Sequence, residues 1–138
     1  MTTWLMDTAL FKMPATRNAA SLQKWFEAND ASLFLSAASL AEINAGIARL
    51  SRKASERGAA LMAWLDGIAS QYADRIHPID PQIARRAGAL LPSMQNGLAR
   101  HRFHDALLVA TAQIHGHGLL TRRDAIFGPW TKVSIATP

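Results

Sequence analysis

Short runs of consecutive apolar residues alternate along this chain with longer stretches whose apolar positions recur every three or four residues. Thr3-Trp4-Leu5-Met6 predicts a first strand, cut off at Asp7. Residues 18–28 carry Leu22, Trp25 and Phe26 at helical spacing and predict an amphipathic helix. After a turn at residues 29–32, Leu33-Phe34-Leu35 predicts a second strand. Ser36 stands where the next helix would begin, with Leu40, Ile43, Ile47 and Leu50 on one stripe. A break at residues 51–55 separates it from another helix running to about Tyr72, whose apolar face is Leu61, Trp64, Leu65 and Ile68. Two such neighbours predict an antiparallel hairpin.

Residues 76–79 predict a third strand. Asp80-Pro81 then offers a capping side chain followed by a ring already fixed at a helical φ. The helix that follows turns Ala84, Ala87, Leu90 and Leu91 inward and stops near Pro92. Residues 93–104 read as a loop, and Asp105 stands at the head of the apolar run 106–112. That run lacks charge on any face, so it predicts a buried helix, too short to span a membrane. Gly116 and Gly118 end it, and Leu119-Leu120-Thr121 predicts a buried strand leading to Asp124. A closing loop at 125–131 and a last strand, Val133-Ser134-Ile135, complete the chain. Strands alternating with helices imply an α/β fold, a mostly parallel sheet covered on both faces, as a single domain over 1–138.

In such a sheet the strand ends and the helix starts share one rim, where ligands usually bind. Asp7 and Asp124 follow strands, and Glu42 and Asp105 fall near helix starts, so four acids from distant positions are expected together. Crowded carboxylates repel one another unless a cation is present. Oxygen ligands favour Mg²⁺ or Mn²⁺, which can lower the pKa of a bound water and shield charge on a phosphodiester under attack. Each acid also has a structural explanation. Asp7 can end a strand, Glu42 can form a capping box with Ser39, Asp105 can complement a helix dipole, and Asp124 can sit in a polar turn.

Composition narrows the field. With 49% hydrophobic and 18% charged residues in 138, the chain is globular. It has no cysteine, which removes disulfides, thiolate zinc sites and cysteine nucleophiles, and fits a reducing cytoplasm. Neither a signal peptide nor a membrane span is expected. The net charge of +5 fits attraction to a polyanion such as RNA, or to an acidic protein. Arg100, Arg102, Arg122 and Arg123 bracket Asp105 and Asp124. His101 and His104 stand three apart, but no third nitrogen or sulfur is spaced to complete a zinc site. His115 and His117 read as a helix-end pair and His77 as strand or loop filler. The four tryptophans read as core and interface residues.

Leu5-Met6-Asp7-Thr8, Leu35-Ser36 through Glu42-Ile43 and Gly46, the segment His104-Asp105-Ala106-Leu107-Leu108-Val109-Ala110-Thr111-Ala112, then His115-Gly116 and Leu119-Leu120-Thr121-Arg122, together resemble a PIN-domain protein. The likeness is to the VapC-type toxins of bacterial toxin–antitoxin pairs, the FitB-like branch included, and it covers almost the whole chain. It implies an α/β/α sandwich and a Mg²⁺- or Mn²⁺-dependent endoribonuclease inhibited by a VapB-type antitoxin. The apolar faces of Leu40–Leu50 and Leu61–Ile68 exceed what one small sheet need cover, so association with itself as a homodimer is expected beside the antitoxin. The resemblance makes Asp7, Glu42 and Asp105 the metal-holding acids and Asp124 a fourth, with Thr8 supporting the first aspartate. The chain departs from the family pattern at Ala9, where Asn or Ser is common. It departs again at Arg123, which pushes Asp124 one place later. Losing such polar support costs about 10–100-fold in metal affinity or activity. A PIN-fold module that binds RNA or protein with weakened catalysis is therefore the alternative.

Overall fold

The computed structural model describes residues 2–10, 24, 27–51, 55–94, 99–121, 127–130 and 133–135. Their strands are β1 (Trp4–Met6), β2 (Leu33–Ser36), β3 (Ile76–His77), β4 (Gly118–Thr121) and β5 (Val133–Ile135). Their helices are α1 (Ala37–Ser51), α2 (Ser55–Gln71), α3 (Pro81–Leu90) and α4 (Ala99–His115). The sheet runs β3-β2-β1-β4-β5, and every pair is parallel. β1 lies at its centre, with Leu5 opposite Phe34 on one side and Leu119 on the other. Most of the predicted helix at 18–28 and the break at 52–54 lie outside the described residues.

Side chains alternate across the strands and so build two cores. Leu5 and Leu119 face Ile83 and Ala87 of α3 and the buried run of α4. Met6, Leu33, Leu35 and Leu120 face the other way, onto Leu10, Tyr72 and half-buried Ile68 of α2. The sheet is thus covered on both sides, an α/β/α arrangement. Beside the β3 edge, Tyr72 and Arg75 both bond Asp30, tying the turn before β2 to the end of α2. No helix among the described residues is long and apolar enough to cross a membrane.

Caps explain where several helices begin and end. Ser36 Oγ accepts the N–H of Ala38 at 3.0 Å and opens α1. Asp80 Oδ1 accepts that of Ile83 at 2.8 Å and opens α3, with Pro81 behind it. Gly116, at φ +71°, closes α4, and the N–H of His117 returns to the carbonyl of Ala112 at 2.9 Å. One boundary departs from expectation. α4 begins at Ala99, so Asp105 is the seventh residue of the helix and does not head it. Nothing between Ala99 and His104 breaks a helix, and burial begins later than helical backbone does. The dipole explanation of Asp105 therefore fails, because that effect fades beyond the first turn.

Candidate functional site

The site begins where β1 ends. The N–H of Asp7 donates to the carbonyl of Leu120 at 2.9 Å, extending the β1–β4 ladder by one residue. This carries a fully buried carboxylate to the rim of the sheet. Its Oδ2 accepts the Thr121 hydroxyl at 2.7 Å, and its Oδ1 takes a long contact of 3.4 Å from the N–H of Ala9. The chain then bends into a short 3-10 turn at 8–10, which points Thr8 toward α1 and α4.

Thr8 Oγ1 lies 2.6 Å from Ser39 Oγ and 2.8 Å from His104 Nε2. Ser39 and Glu42 stand three apart on α1, on neighbouring positions of one face. Ser39 is inside the helix with its hydroxyl committed to Thr8, and Ser36 is the residue that caps. The capping-box explanation of Glu42 therefore gives way to a role at the rim. His104 Nε2 also lies 2.8 Å from Glu42 Oε2, and the next residue, Asp105, is almost fully buried. Thr8, Ser39, His104 and Glu42 thus form one contact network joining β1, α1 and α4, with Asp7 and Asp105 the chain neighbours of Thr8 and His104. Asp124, Arg122 and Arg123 lie outside the described residues, as do the side chains of Arg100 and His101. Arg102 is half-buried, three residues before Asp105 on the same helix.

The donor chemistry around Glu42 suits a hard divalent cation. Glu42 Oε2 is a buried oxygen with no aligned hydrogen-bond donor, since the N–H direction of His104 serves Thr8. A carboxylate oxygen left in that condition is costly unless something positive approaches it. The donors are all oxygens on carboxylates, which is what Mg²⁺ or Mn²⁺ prefers. Among the described residues, however, no three His, Asp or Glu side chains converge closely enough to enclose an ion. The acids fit such a cation by chemistry and burial, without forming a finished cage.

Sequence reasoning did not single out Ser39, His104 or Thr121 as partners of this patch. The helical spacing of Ser39 and Glu42, and the adjacency of His104 to Asp105, were the available signals. His77, His115 and His117 form a separate cluster at the opposite end of α4. His77 Nε2 lies 2.7 Å from His117 Nε2, and the His115 ring stacks on His77 with centroids 3.7 Å apart. His117 Nδ1 lies 2.6 Å from the Thr3 hydroxyl, and Phe34 stacks on the His117 ring. Burial, then the neighbouring His77 and His115, push His117 down to about 4. Burial, then His115, lowers His77. His77 is therefore a packed member of a ring stack, more than filler.

The sequence matches the PIN domain family over residues 9–128, a segment that holds Glu42, Asp105 and Asp124 and begins just after Asp7 and Thr8. No functionally curated protein matches it. A chain of the FitAcB crystal structure from Neisseria gonorrhoeae superposes with a TM-score of 0.79 at 24% identity, covering 97% of this chain and 98% of that one. A chain of the DNA-bound VapBC structure from Salmonella typhimurium superposes at 0.77 and 17% identity, covering 99% and 100%. At these identities the likeness is one of fold.

Proposed function

The chain belongs to the PIN-domain family, and on that premise we propose that it is the metal-dependent endoribonuclease toxin of a toxin–antitoxin pair. The observation that carries this reading is the pair of buried acids Asp7 and Asp105 with half-buried Glu42 beside them, their neighbours Thr8 and His104 in contact at the C-terminal rim of a parallel sheet. Acids brought near one another at a sheet rim favour a cation between them. A basic chain of +5 overall adds the attraction to a polyanion.

Mg²⁺ or Mn²⁺ held by Asp7, Glu42 and Asp105, with Asp124 as a fourth acid, would supply a water of lowered pKa and shield charge on the phosphate under attack. The protein's own groups do the rest. Thr121 fixes the rotamer of Asp7, and the Thr8–Ser39 pair holds β1 against α1. Arg102, with Arg100, Arg122 and Arg123, would seat the phosphates on either side of the scissile bond. A toxin–antitoxin complex from Klebsiella pneumoniae also superposes on this chain, which with the VapBC likeness supports a VapB-type antitoxin as partner; a homodimer and a cytoplasmic location complete the reading.

Purified protein incubated with total cellular RNA, with cut sites mapped to single nucleotides, tests this directly. Cleavage should require Mg²⁺ or Mn²⁺ and stop on chelation. RNA binding without cleavage in either metal would favour the weakened binding module, to which Ala9, Arg123 and the unconverged acids already point.

A further inference from the structure

The three acids come from three elements, and each must be held in place relative to the others. Asp7 is tied to β4 through Thr121 and through the backbone of Leu120. Thr8 ties β1 to α1 through Ser39. α4 reaches both through His104 Nε2, at 2.8 Å from Thr8 Oγ1 and 2.8 Å from Glu42 Oε2. We propose that His104 is a positioning residue of this site, holding Glu42 and Asp105 in one frame with Asp7 through a proton on Nε2. The role rests on the carboxylate site being the cation site.

The proton's place follows from the contacts. An unprotonated Nε2 would make that edge of the ring negative, which is unfavourable 2.8 Å from a carboxylate oxygen even off its axis, so Nε2 carries the N–H. That N–H donates to Thr8 Oγ1, leaving the Thr8 hydroxyl to donate to Ser39. Glu42 Oε2 lies off the N–H axis. It is drawn toward the positive edge of the ring without a lone pair being used, and that lone pair stays open to a cation. His104 is mostly buried, at 16% side-chain exposure, so packing keeps the ring in this position. Asp105 is the next residue of the helix, so anchoring His104 also anchors the turn of α4 that carries it.

Mn²⁺ affinity, measured on metal-free protein by electron paramagnetic resonance, tests the role without relying on cleavage. Glu42→Gln marks the site, His104→Phe keeps a ring without the donor, and His104→Gln places an amide N–H near Nε2. Wild type and Glu42→Gln should differ strongly. His104→Phe should bind about 10–100-fold more weakly than wild type, and His104→Gln should recover most of that loss. A role confined to stability would lower the melting temperature of His104→Phe and leave its Mn²⁺ affinity alone; that result overturns the proposal. Equal affinities for the Phe and Gln variants overturn it too. Wild type that binds no Mn²⁺ would remove the cation site and this role together, which distinguishes the two failures. In nitrogen–proton correlation spectra of the metal-free protein, His104 should carry its proton on Nε2, and an Nδ1-only proton would also contradict the assignment.

Discussion

The hydroxyl of Thr121 donates to Asp7 Oδ2 across 2.7 Å, joining residues 114 positions apart at the rim of two adjacent strands. Both side chains are fully buried, so water cannot replace the bond if it is lost. Thr121→Val keeps the shape and removes the donor. It should lower stability by about 1–3 kcal/mol, the cost of leaving a buried acceptor short of a partner. Urea unfolding with an unchanged m-value would register this. An unchanged midpoint would mean that Asp7 draws its support from elsewhere.

Acid should weaken the fold through the ring stack far from the acids. His117 ordinarily titrates near 6.5, but in the folded protein burial, His77 and His115 push it down to about 4. Below the ordinary value the unfolded chain binds the proton and the folded chain does not. The stabilisation is therefore full above about pH 6.5 and is lost progressively as pH falls toward 4. His77 is shifted in the same direction. Melting temperatures between pH 7.5 and 4 should fall less steeply for His117→Phe than for wild type. Equal slopes would remove this cluster from the account.

The cap of α3 offers a simpler check. Asp80→Ala removes the acceptor that holds the N–H of Ile83 at 2.8 Å. A loss of about 1 kcal/mol, read as a lowered melting temperature, is expected. Metal affinity should be untouched, because α3 contributes none of the acids.

Much of this arrangement is legible in the chain. The alternation of Leu5 with Met6, and of Leu119 with Leu120, announces strands buried on both faces. Asp80-Pro81 and Gly116 mark their helix ends by local chemistry alone. The start of α4 is not legible, because Arg100, His101 and Arg102 are as compatible with helix as with loop, and the apolar run marks burial only. The acids can be placed on one rim by counting strands and helices. The hydroxyl and imidazole partners that join them cannot, since Thr8, Ser39 and His104 meet only through the packing of β1, α1 and α4. A resemblance to a family supplies its shared residues, His104 among them, whereas the contacts of His104 with Thr8 and Glu42 emerge from the structure.

Arg102 is the described member of the basic group near the acids. Arg102→Gln should weaken RNA binding about equally for unrelated sequences and reduce the slope of log affinity against log salt by about 1. Binding measured by fluorescence anisotropy over a salt series checks both. A change in sequence preference with an unchanged slope would make Arg102 a base-reading residue instead of a phosphate contact.

The most direct measurement is RNA cleavage in Mg²⁺ by Asp105→Asn compared with wild type. The substitution keeps the shape of a side chain that is 2% exposed and removes one charge from the patch. If Asp105 helps hold the cation, cleavage should fall by well over the roughly 10–100-fold typical of an indirect partner. Metal-free stability should hold or rise, because one of several mutually repelling carboxylates has gone. Folded Asp105→Asn protein that cleaves RNA at the wild-type rate, with the same dependence on Mg²⁺, would contradict the assignment of this patch as the catalytic site.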